Sequence, residues 1–493
     1  MPRALFSLHK PEYALLFFPR LKKLGWEIIA SSESYDILKK NNMLASPLKI
    51  ITKDDFHIPF PPTLHPLLEQ ALTLEHEEHR IDLVFVMPYP FEIGLDVGGH
   101  TLLGLACKGG RWPVCTPEDM EALLLEMETQ GGVSVATHHR LMATSLTKIA
   151  SFYMQQVQQM GPVTDGWLGF LAKELFEGEN PYQKPAILYK NFEDPLGLAA
   201  FQQLSGLAPC FTNMADLDAL VQSLVLGQRV FTECGEDNHI FLCLAAKHGN
   251  LVGFGCSRDD PEEAIELALF GSPRSIWGGE VITNFVLDVH SASRLLFSER
   301  RKKMLGAGSW ILDIIACPAI HTEGIELFRE KNQKILVNSH LSHPNVVWPQ
   351  WQYRGVRGGW LRQPPYHFVM DLNKVDWLDE KPQGITLDSL KIAWVAAYSS
   401  NHGGNEVALA KDGYLLSCAG GPSTVEAVET VIQRAINNGH SLEGATFAAN
   451  AFFPFTDAPE MLVNAGVKWG VVPAGGKKEP EVRNFFQKHD VRH

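Results

Sequence analysis

A lysine and a histidine stand side by side where an apolar segment gives way to a glycine turn. Ala245 and Ala246 are followed directly by Lys247, His248 and Gly249. Imidazole is the side chain that exchanges a proton near neutral pH without help, and lysine carries a compact positive charge. The pair is therefore the strongest candidate for chemistry in the chain. Taken alone, however, the pattern is more typical of a strand that ends in two solvated polar residues.

Three other patterns indicate chemistry only at first sight. The segment His76–His79 has HxxH spacing, but on a polar helix this is more typical of a solvated face. His321–Glu323 begins a zinc deaminase signature, yet the P-C-x-x-C that must accompany it is absent, so no metal is predicted. Gly253–Gly255 lacks the third glycine of a dinucleotide-binding loop and is interpreted as a turn.

Eight short segments follow one another in order around the Lys–His pair. They are GENPYQKPA (178–186), CFTNMADLDAL (210–220), LAAKHGNLVGFG (244–255), SIWGGEVITNF (275–285), LDIIACP (312–318), VRGGWLRQ (356–363), NEVALAKDG (405–413) and AFFPFTDAPEML (451–462). The series resembles the formyltransferase region of the AICAR formyltransferase/IMP cyclohydrolase family. The N-terminal segments ALFSLHK, TLHP, YPF and LDVGGHTLL resemble the cyclohydrolase domain of that family, so the resemblance covers nearly the whole chain.

The resemblance implies an α/β fold class. An N-terminal methylglyoxal-synthase-like doubly wound domain would precede two cytidine-deaminase-like α/β subdomains without zinc. We place these domains at residues 1–165, 166–364 and 365–493, the first boundary lying in a segment rich in Gly and Pro. The resemblance also implies a homodimer whose formyltransferase sites are built across the interface.

The implied reaction moves a formyl group from 10-formyltetrahydrofolate to the 5-amino group of AICAR or a close analogue, late in purine biosynthesis. Such a weakly nucleophilic amine needs a base and an electrophilic clamp on the formyl oxygen. The family match assigns the base to His248 and the clamp to Lys247. It assigns to Asn405 the orientation of the imidazole and the formyl group.

The match also implies contacts to the nucleotide-like substrate and to folate. Aromatic side chains suit a pterin face, and a carboxylate suits its amino-pyrimidine edge. The substrate- and folate-binding candidates are Asn180, Asn213, Phe452, Pro454, Phe455 and Asp457. The cyclohydrolase-like candidates are Ser34, Thr63, Tyr89, Asp96 and Lys108, of which Tyr89 and Asp96 are equally compatible with ordinary turn residues.

The chain departs from the family mainly at cations that bind the 5′-phosphate. Phe176, Glu177, Tyr182, Ser423 and Thr424 stand where the family has Arg-Tyr, His and Ser-Arg, and the C-terminal HDVRH shortens the family's pattern. Each lost charge-assisted bond is worth about 1.5–3 kcal/mol. Either other cations replace them or the true acceptor carries no phosphate there. The candidate replacements are Arg354, Arg357, Lys477 and Lys478.

The cyclohydrolase half departs as well. Phe60–Pro62 precede Thr63 where the family has Arg-Val-Lys, and Ser31–Ser34 replace a phosphate-binding Ser-Gly-Gly-Thr. Glu33 in this turn would repel a phosphate, and the missing glycines prevent close backbone approach. We therefore expect impaired IMP cyclohydrolase activity.

Two function classes follow. The first is an enzyme, a phosphoribosylaminoimidazolecarboxamide formyltransferase. The second is a catalytically degenerate family member that binds a ligand or partner without turnover. Binding of folate analogues separates them.

The composition fits an ordinary globular protein. The 493 residues are 45% apolar and 20% charged, with a net charge of −13 that argues against a broad nucleic-acid or membrane surface. The N-terminus lacks the apolar core of a signal peptide. Eight scattered cysteines without CxxC spacing indicate a reducing compartment, so we expect a cytoplasmic protein.

Short apolar segments alternate with helical patterns along the chain. The strands include WEIIAS, the beginning of IDLVFVMPYPF, HIFLCLAAKHG and SWILDIIACP, and the helices include EYALLFFPRLKKLG, EDMEALLLEMET, PEEAIELALF and STVEAVETVIQRAINNG. This alternation predicts a doubly wound parallel sheet. Residues 342–355, rich in Pro and Trp, are predicted to form a long ordered loop.

Overall fold

The computed structural model describes most of the chain. The described residues are 1–53, 62–74, 79–161, 165–166, 168–190, 194–233, 240–329, 331–342, 349, 351–365, 368–372, 374–378, 380–400 and 404–492. They form two compact units, Met1–Phe170 and Leu171–His493. The domain bounds 1–165, 166–364 and 365–493 stay predictions.

The first unit alternates strands and helices. Its elements are β1 (Arg3–Leu8), α1 (Glu12–Lys23), β2 (Glu27–Ala30), α2 (Ser32–Lys40), β3 (Ser46–Pro47), α3 (Lys49–Thr52), a 3₁₀ turn (Pro62–Leu64), α4 (Pro66–Thr73), β4 (Leu83–Met87), a 3₁₀ turn (Phe91–Ile93), α5 (Val97–Lys108), β5 (Trp112–Val114), α6 (Pro117–Gln130) and α7 (Val135–Gln159).

These strands form a five-stranded sheet in the order β3-β2-β1-β4-β5, and every pairing in it is parallel. Side chains alternate between its two faces, as the strand period requires. Phe6 and Phe85 enter a core with α1 and α6, whereas Leu5 and Val84 enter a second core with α4 and α5. Both faces are thus covered by helices, which is the doubly wound arrangement.

The second unit is longer. Its elements are β6 (Phe170–Leu175), β7 (Ala186–Lys190), a 3₁₀ turn (Leu198–Ala200), β8 (Gln202–Ser205), α8 (Phe211–Glu233), β9 (Phe241–Lys247), β10 (Asn250–Ser257), α9 (Pro261–Phe270), β11 (Gly279–Thr283), α10 (Val289–Leu296), α11 (Glu299–Leu305), β12 (Leu312–Cys317), α12 (Thr322–Arg329), β13 (Lys334–Val337), a 3₁₀ turn (Ser339–Ser342), β14 (Gln352–Val356), β15 (Gly359–Gln363), α13 (Gly384–Ser399), β16 (Val407–Lys411), β17 (Tyr414–Ala419), α14 (Thr424–Asn437), β18 (Thr446–Ala449), α15 (Asp457–Asn464), β19 (Trp469–Val471) and α16 (Glu479–Lys488).

Ten of these strands form one mixed sheet in the order β19-β18-β16-β17-β10-β9-β11-β12-β13-β8. It consists of two halves with the same plan: a helix leads into a hairpin, and the hairpin's first strand pairs antiparallel with the next strand along the chain. The hairpins are β9–β10 and β16–β17, and the halves join where Gly255 pairs with Tyr414. The second unit therefore departs from the all-parallel sheet that the alternation predicts.

One face of this sheet carries a core that both halves share. Leu244 of β9 and Ala408 of β16 point into it, together with buried side chains of α8 and α13. On the opposite face each half has its own core, formed with α9 in the first half and with α14 and α15 in the second. Because α8 and α13 are covered from several sides, they fix how the two halves pack.

The predicted strands and helices occur where the patterns place them, with one correction. The end of the predicted loop 342–355 is a strand, since Gln352–Val356 pairs antiparallel with Gly359–Gln363 in a separate hairpin. Parts of several interpreted segments lie outside the described residues, among them 343–348 and 350 of that loop, 76–78 of the HxxH pattern, and Phe60 with Pro61. Residues 162–164 and 167 of the boundary segment and residue 239 at the start of HIFLCLAAKHG lie outside them too.

Candidate functional site

The Lys247–His248 pair lies at a tight hairpin turn. Lys247 pairs with Asn250 across the hairpin, so His248 and Gly249 are the two turn residues, with φ of 54° and 74°. Positive φ at both central positions is the type I′ geometry that matches the twist of paired strands. Histidine tolerates this conformation better than most residues do, although it is uncommon.

Backbone and side-chain contacts hold this turn. His248 N donates to Asp216 Oδ2 at 2.9 Å, and Gly249 N donates to Asp216 Oδ1. Lys247 Nζ donates to the carbonyl oxygen of Trp277, and the described residues accept neither of the other two protons of the ammonium. The imidazole of His248 is exposed and forms no hydrogen bond with a described side chain. Both reactive groups are thus held through the backbone and remain accessible.

Gly278 makes room for the Lys247 ammonium. Its φ is +68°, and a Cβ built there would lie 3.1 Å from Lys247 Nζ. A side chain at this position would crowd the ammonium as well as strain the backbone.

Asn213 lies beneath the turn rather than in it. It is 3% exposed, and its Nδ2 donates to Glu280 Oε1 at 2.8 Å and to Asp313 Oδ2 at 3.0 Å. Its Oδ1 accepts from Cys210 N at 3.1 Å. The amide is therefore occupied by protein contacts, and direct contact of Asn213 with substrate stays a prediction.

Asn405 precedes β16 and also has a positive φ, 50°. Its Nδ2 donates to the carbonyl oxygen of Gly421 at 3.0 Å, while the described residues donate no hydrogen bond to its Oδ1. Gly421 N in turn donates to Gly404 O at 2.8 Å, which closes the loop on itself. The amide oxygen of Asn405 is thereby presented on a fixed backbone.

Strand directions bring the predicted formyltransferase residues to one edge of the ten-stranded sheet. Strands β9, β17 and β18 run one way, and β10 and β16 run the other, because each neighbouring pair in this part is antiparallel. The end of β9, with Lys247 and His248, therefore shares an edge with the start of β16, preceded by Asn405. The end of β18, which leads to Phe452, lies at that edge too.

Two strands nevertheless stand between the pair and Asn405. The order β9-β10-β17-β16 spans three strand spacings of about 4.8 Å, so the backbones of β9 and β16 lie about 14 Å apart. Lys247 and Asn405 of one chain do not touch at this separation.

The segment after β18 alternates buried and exposed rings. Phe453 is 2% exposed and packs against Phe447 and Phe486, whereas Phe452 and Phe455 are 44% and 54% exposed. Pro454 lies between them and is half-buried. The buried ring anchors the segment and leaves its neighbours free to stack on a flat ligand.

Asp457 and Lys478 flank this segment. Asp457 begins α15, and its Oδ1 accepts from Ala458 N at 2.9 Å. Lys478 Nζ lies 5.3 Å from the centre of the Phe455 ring, within the range of a cation–π contact. A cation thus stands beside the exposed aromatic surface.

A cavity of about 470 Å³ adjoins Phe452. Its aromatic lining includes Phe368 and the stacked pair Trp394 and Tyr398, whose ring centres are 4.5 Å apart. Arg483 also lines it, whereas Lys247, His248 and Asn405 do not. The cavity can take a planar aromatic group next to the site edge.

The other residues that the sequence singled out in this unit make local contacts. Asn180 is exposed, and its N and Nδ2 donate to Gln183 Oε1 at 2.8 and 2.9 Å, so it closes a local turn. Ser423 caps α14 by accepting from Glu426 N. Arg354 and Arg357 are exposed in the β14–β15 hairpin.

In the first unit, Tyr89 and Asp96 lie together. Asp96 caps α5, accepting from Gly99 N at 2.7 Å and from Tyr89 N at 2.9 Å. The Tyr89 hydroxyl donates to Glu33 at 3.0 Å, and burial together with this contact raises the pKa of Tyr89. Ser34 is buried, and its Oγ accepts from Leu8 N at 3.2 Å. These contacts occupy groups that a substrate would need.

Lys108 lies at the other end of α5. The helix has 12 residues, so its ends are about 16 Å apart. Lys108 Nζ is exposed and pairs with Glu69 Oε1 at 3.1 Å. Thr63 is 8% exposed, in the turn before α4. The structure therefore brings Ser34, Tyr89 and Asp96 to one region but not Lys108.

Sequence reasoning overlooked Asp216 and Glu280. Both are buried, at 1% and 2% exposed, beneath the Lys247–His248 turn. The signal for Glu280 is a single acid in an otherwise uncharged strand, GEVIT. Asp216 is an acid within a largely apolar helix segment, which is weaker evidence since Asp218 follows it.

In the described part of the chain, no group of three or more His, Cys, Asp or Glu side chains is arranged to hold a metal ion. None of the helices there combines the length and apolar character that a membrane span requires.

Comparison with known proteins agrees with this mixed α/β architecture. A family model described as "AICARFT/IMPCHase bienzyme" matches residues 112–434, more than half of the chain. The chain belongs to this family of multifunctional purine-biosynthesis enzymes, which have transferase and hydrolase activities.

Individual relatives are distant but collinear. The "Bifunctional purine biosynthesis protein PurH" of Streptococcus thermophilus is 28% identical, over 97% of this chain and 95% of its own. The proteins of that name from Thermoanaerobacter sp. and Lactococcus lactis are each 26% identical, over 97% and 99% of this chain. A solved structure titled "Crystal structure of ForH" matches 32% of this chain and 98% of its own, at 21% identity and a TM-score of 0.27.

Replacing Asp96 tests whether it supports the fold of the first unit. Asp96→Ala removes the cap of α5 and the bond to Tyr89 N, so we expect a loss of about 1–2 kcal/mol in the free energy of unfolding. Glu69→Gln, which breaks the exposed pair with Lys108, should cost less than about 0.5 kcal/mol. Urea denaturation measures both, and equal losses would contradict the capping role.

Proposed function

We propose that this protein transfers the formyl group of 10-formyltetrahydrofolate to the 5-amino group of AICAR or a close analogue. The observation that carries the proposal is the shared sheet edge of three separate segments: the Lys247–His248 turn, the Asn405 loop and the aromatic segment at Phe452. Family membership supplies the reaction class, and the accessible Lys–His pair supplies groups that fit it.

The chemistry follows from the types of these groups. The acceptor amine attacks the formyl carbon, and the new N–C bond places negative charge on the formyl oxygen. The ammonium of Lys247 stabilises that charge, and the imidazole of His248 takes the proton that the amine loses. Collapse of the adduct breaks the bond to N10 of the folate, which then receives the proton from His248. The amide oxygen of Asn405 accepts a hydrogen bond from the imidazolium or the amine.

We place the aromatic part of the folate at Phe452 and in the adjoining cavity of about 470 Å³. Stacking on exposed rings suits its flat pterin and aminobenzoyl groups. Lys478, beside Phe455, can bind a carboxylate of the glutamyl end or a phosphate of the acceptor if that anion displaces Glu481, whose Oε2 lies 3.3 Å from Lys478 Nζ. No metal takes part in this scheme.

The separation of about 14 Å between β9 and β16 bears on the oligomeric state. A homodimer in which one chain supplies Lys247 and His248 and its partner supplies an asparagine would complete the site. This arrangement is the one that the family resemblance implies, and we include it in the proposal.

Removing either reactive side chain tests the assignment. Lys247→Ala and His248→Ala should each lower kcat/KM for formyl transfer to AICAR by at least about 10²-fold. The matched control is Lys411→Ala, the corresponding residue of the second hairpin, whose Nζ donates to Glu443 O at 2.7 Å at the opposite sheet edge. This control should stay within about twofold of the unaltered protein.

Failure of this test has two distinguishable forms. In the first form, the protein shows no turnover with AICAR, its nucleoside or related amines, and calorimetry also detects no binding of a folate analogue. These two results together would favour the non-catalytic alternative. Turnover that survives both substitutions would show that another group carries the chemistry.

Mixing variants tests the shared site. Lys247→Ala and Asn405→Ala proteins should each be inactive alone. After they are unfolded and refolded together, statistical mixing should restore about a quarter of the unaltered kcat, because half of the dimers are mixed and each mixed dimer has one complete site. Sedimentation analysis must show dimers in all samples. Mixed dimers without activity would place all three residues of a site in one chain.

The first unit is expected to be a poor IMP cyclohydrolase. Its candidate residues are occupied by Glu33 and Glu69, and a rate loss of about 10²–10³ is typical when a preorganised donor is missing. We expect IMP formation from synthetic formyl-AICAR well below about 1 s⁻¹, an ordinary enzymatic rate. A rate at or above that value with the full chain would contradict this expectation.

A further inference from the structure

Buried acids gather under the Lys247–His248 turn, and the proposed reaction uses none of them. Asp216 of α8 and Glu280 of β11 are 1% and 2% exposed. Asp313 of β12, whose side chain is 46% exposed, contacts the same asparagine, since Asn213 donates to both Glu280 and Asp313. Burial of the two carboxyl groups of Asp216 and Glu280 costs free energy unless their charge is compensated, so their presence calls for a function.

Asp216 determines the shape of the turn. Its two oxygens accept from the backbone N–H groups of His248 and Gly249, the two residues with positive φ. The second hairpin provides an internal comparison, since Asp412 and Gly413 have φ of 50° and 78°. There Gly413 N donates to Ser389 Oγ at 3.0 Å and Gly413 O accepts from Cys256 N at 3.0 Å, but no carboxylate among the described residues accepts from the amides of the turn. An ionised carboxylate forms stronger bonds than a hydroxyl, so the turn that carries Lys247 is held more firmly.

Glu280 has a different hydrogen-bonding pattern. Its Oε1 accepts from Asn213 Nδ2, and no described group donates to its buried Oε2. Burial, a side-chain hydrogen bond with Asp216 and the charge of that carboxylate raise the pKa of Glu280 from 4.5 to about 10. A proton on Oε2 explains both facts, because that oxygen is then a donor and Asp216 is its acceptor.

The neighbouring charges locate the proton on Glu280 rather than on Asp313. Burial alone would raise the pKa of Asp313, but hydrogen bonds from Asn213 and Lys334 and the charges of Lys334 and Lys247 lower it. The groups that face Glu280 are therefore the carboxylates of Asp216 and Asp313, with Lys247 on β9 and Lys334 on β13 beyond them.

We propose that Glu280 is a positioning residue for the formyl-transfer site: as a neutral carboxylic acid it donates to Asp216, and this carboxyl–carboxylate pair holds the Lys247–His248 turn in its reactive geometry. The proposal rests on the proposed function only for the reaction that the turn serves. Protonation of Glu280 and its contact with Asp216 can be tested without turnover.

Infrared spectroscopy gives the first test. At neutral pH the difference spectrum between the unaltered protein and Glu280→Gln should contain the C=O band of a protonated carboxyl group. Glu323→Gln, a change of an exposed acid in α12, should leave that band in place. Absence of the band from the unaltered protein would overturn the proposal.

The pH dependence of the protein's stability gives the second test of the proposal. A carboxyl group whose folded pKa is raised favours the folded state least at high pH, because folding then requires uptake of a proton that the unfolded chain has lost. As the pH rises from 4.5 to about 10, the unaltered protein thus loses stability that the Glu280→Gln variant retains. The melting temperature of Glu280→Gln relative to the unaltered protein should rise steadily from pH 5 to pH 9. A constant or falling difference would overturn the proposal.

Kinetics test the positioning role. Glu280→Ala should lower kcat by about tenfold or more while KM for AICAR changes less than about threefold, because a misplaced reactive group slows the chemical step. Glu280→Gln keeps a donor for Asp216 and an acceptor for Asn213, so its kcat should exceed that of Glu280→Ala by at least about threefold. Circular dichroism must show that both variants fold.

The outcomes separate this proposal from the proposed function. Equal kcat values in all three proteins, with the infrared band present, would overturn positioning while formyl transfer stands. No formyl transfer by the unaltered protein, with the band and the stability trend present, would overturn the proposed function and leave the carboxyl pair intact.

Discussion

The contact between one buried carboxylate and two backbone amides determines how this protein presents its reactive groups. Asp216 binds the amides of His248 and Gly249, and a hairpin turn with two positive φ values is the backbone shape that results. Because Asp216 lies on α8 and the turn joins β9 to β10, the same contact ties a helix of the shared core to the sheet edge. Any shift of α8 would therefore displace Lys247 and His248.

The repeated plan of the second unit explains how distant segments reach one edge. Each half contains a hairpin, and the halves meet with β10 antiparallel to β17. Strand directions then alternate through the middle of the sheet, which places the end of β9, the start of β16 and the end of β18 on the same side. A second all-parallel sheet would not combine these segments, because the start of β16 would lie opposite the end of β9.

Sequence patterns predicted the helices that have one buried and one exposed face, but they missed helices that are buried on several sides. Helices α1 and α14 are examples of the first kind, since their buried residues recur at the helical period on one side. Helices α8 and α13 were not predicted. In α13 the buried residues include Asp388, Ser389 and Lys391 on several sides, so the helical period of apolar residues is lost. Residue types drew attention to Lys247 and His248 and the family resemblance assigned their roles, whereas Asp216 and Glu280 were missed because their contacts depend on how α8, β9 and β11 pack.

The two units differ in where their acidic side chains lie relative to the candidate site residues. At the Lys247–His248 turn, Asp216 and Glu280 are buried beneath the backbone, and two protons of the Lys247 ammonium have no acceptor among the described residues. In the first unit, acids stand among the candidate residues themselves: Glu33 takes the Tyr89 hydroxyl and Glu69 takes Lys108. An anionic substrate would have to displace these carboxylates before it could bind. These contacts therefore agree with the proposal that the second unit carries the formyl-transfer site and that the first is a poor cyclohydrolase.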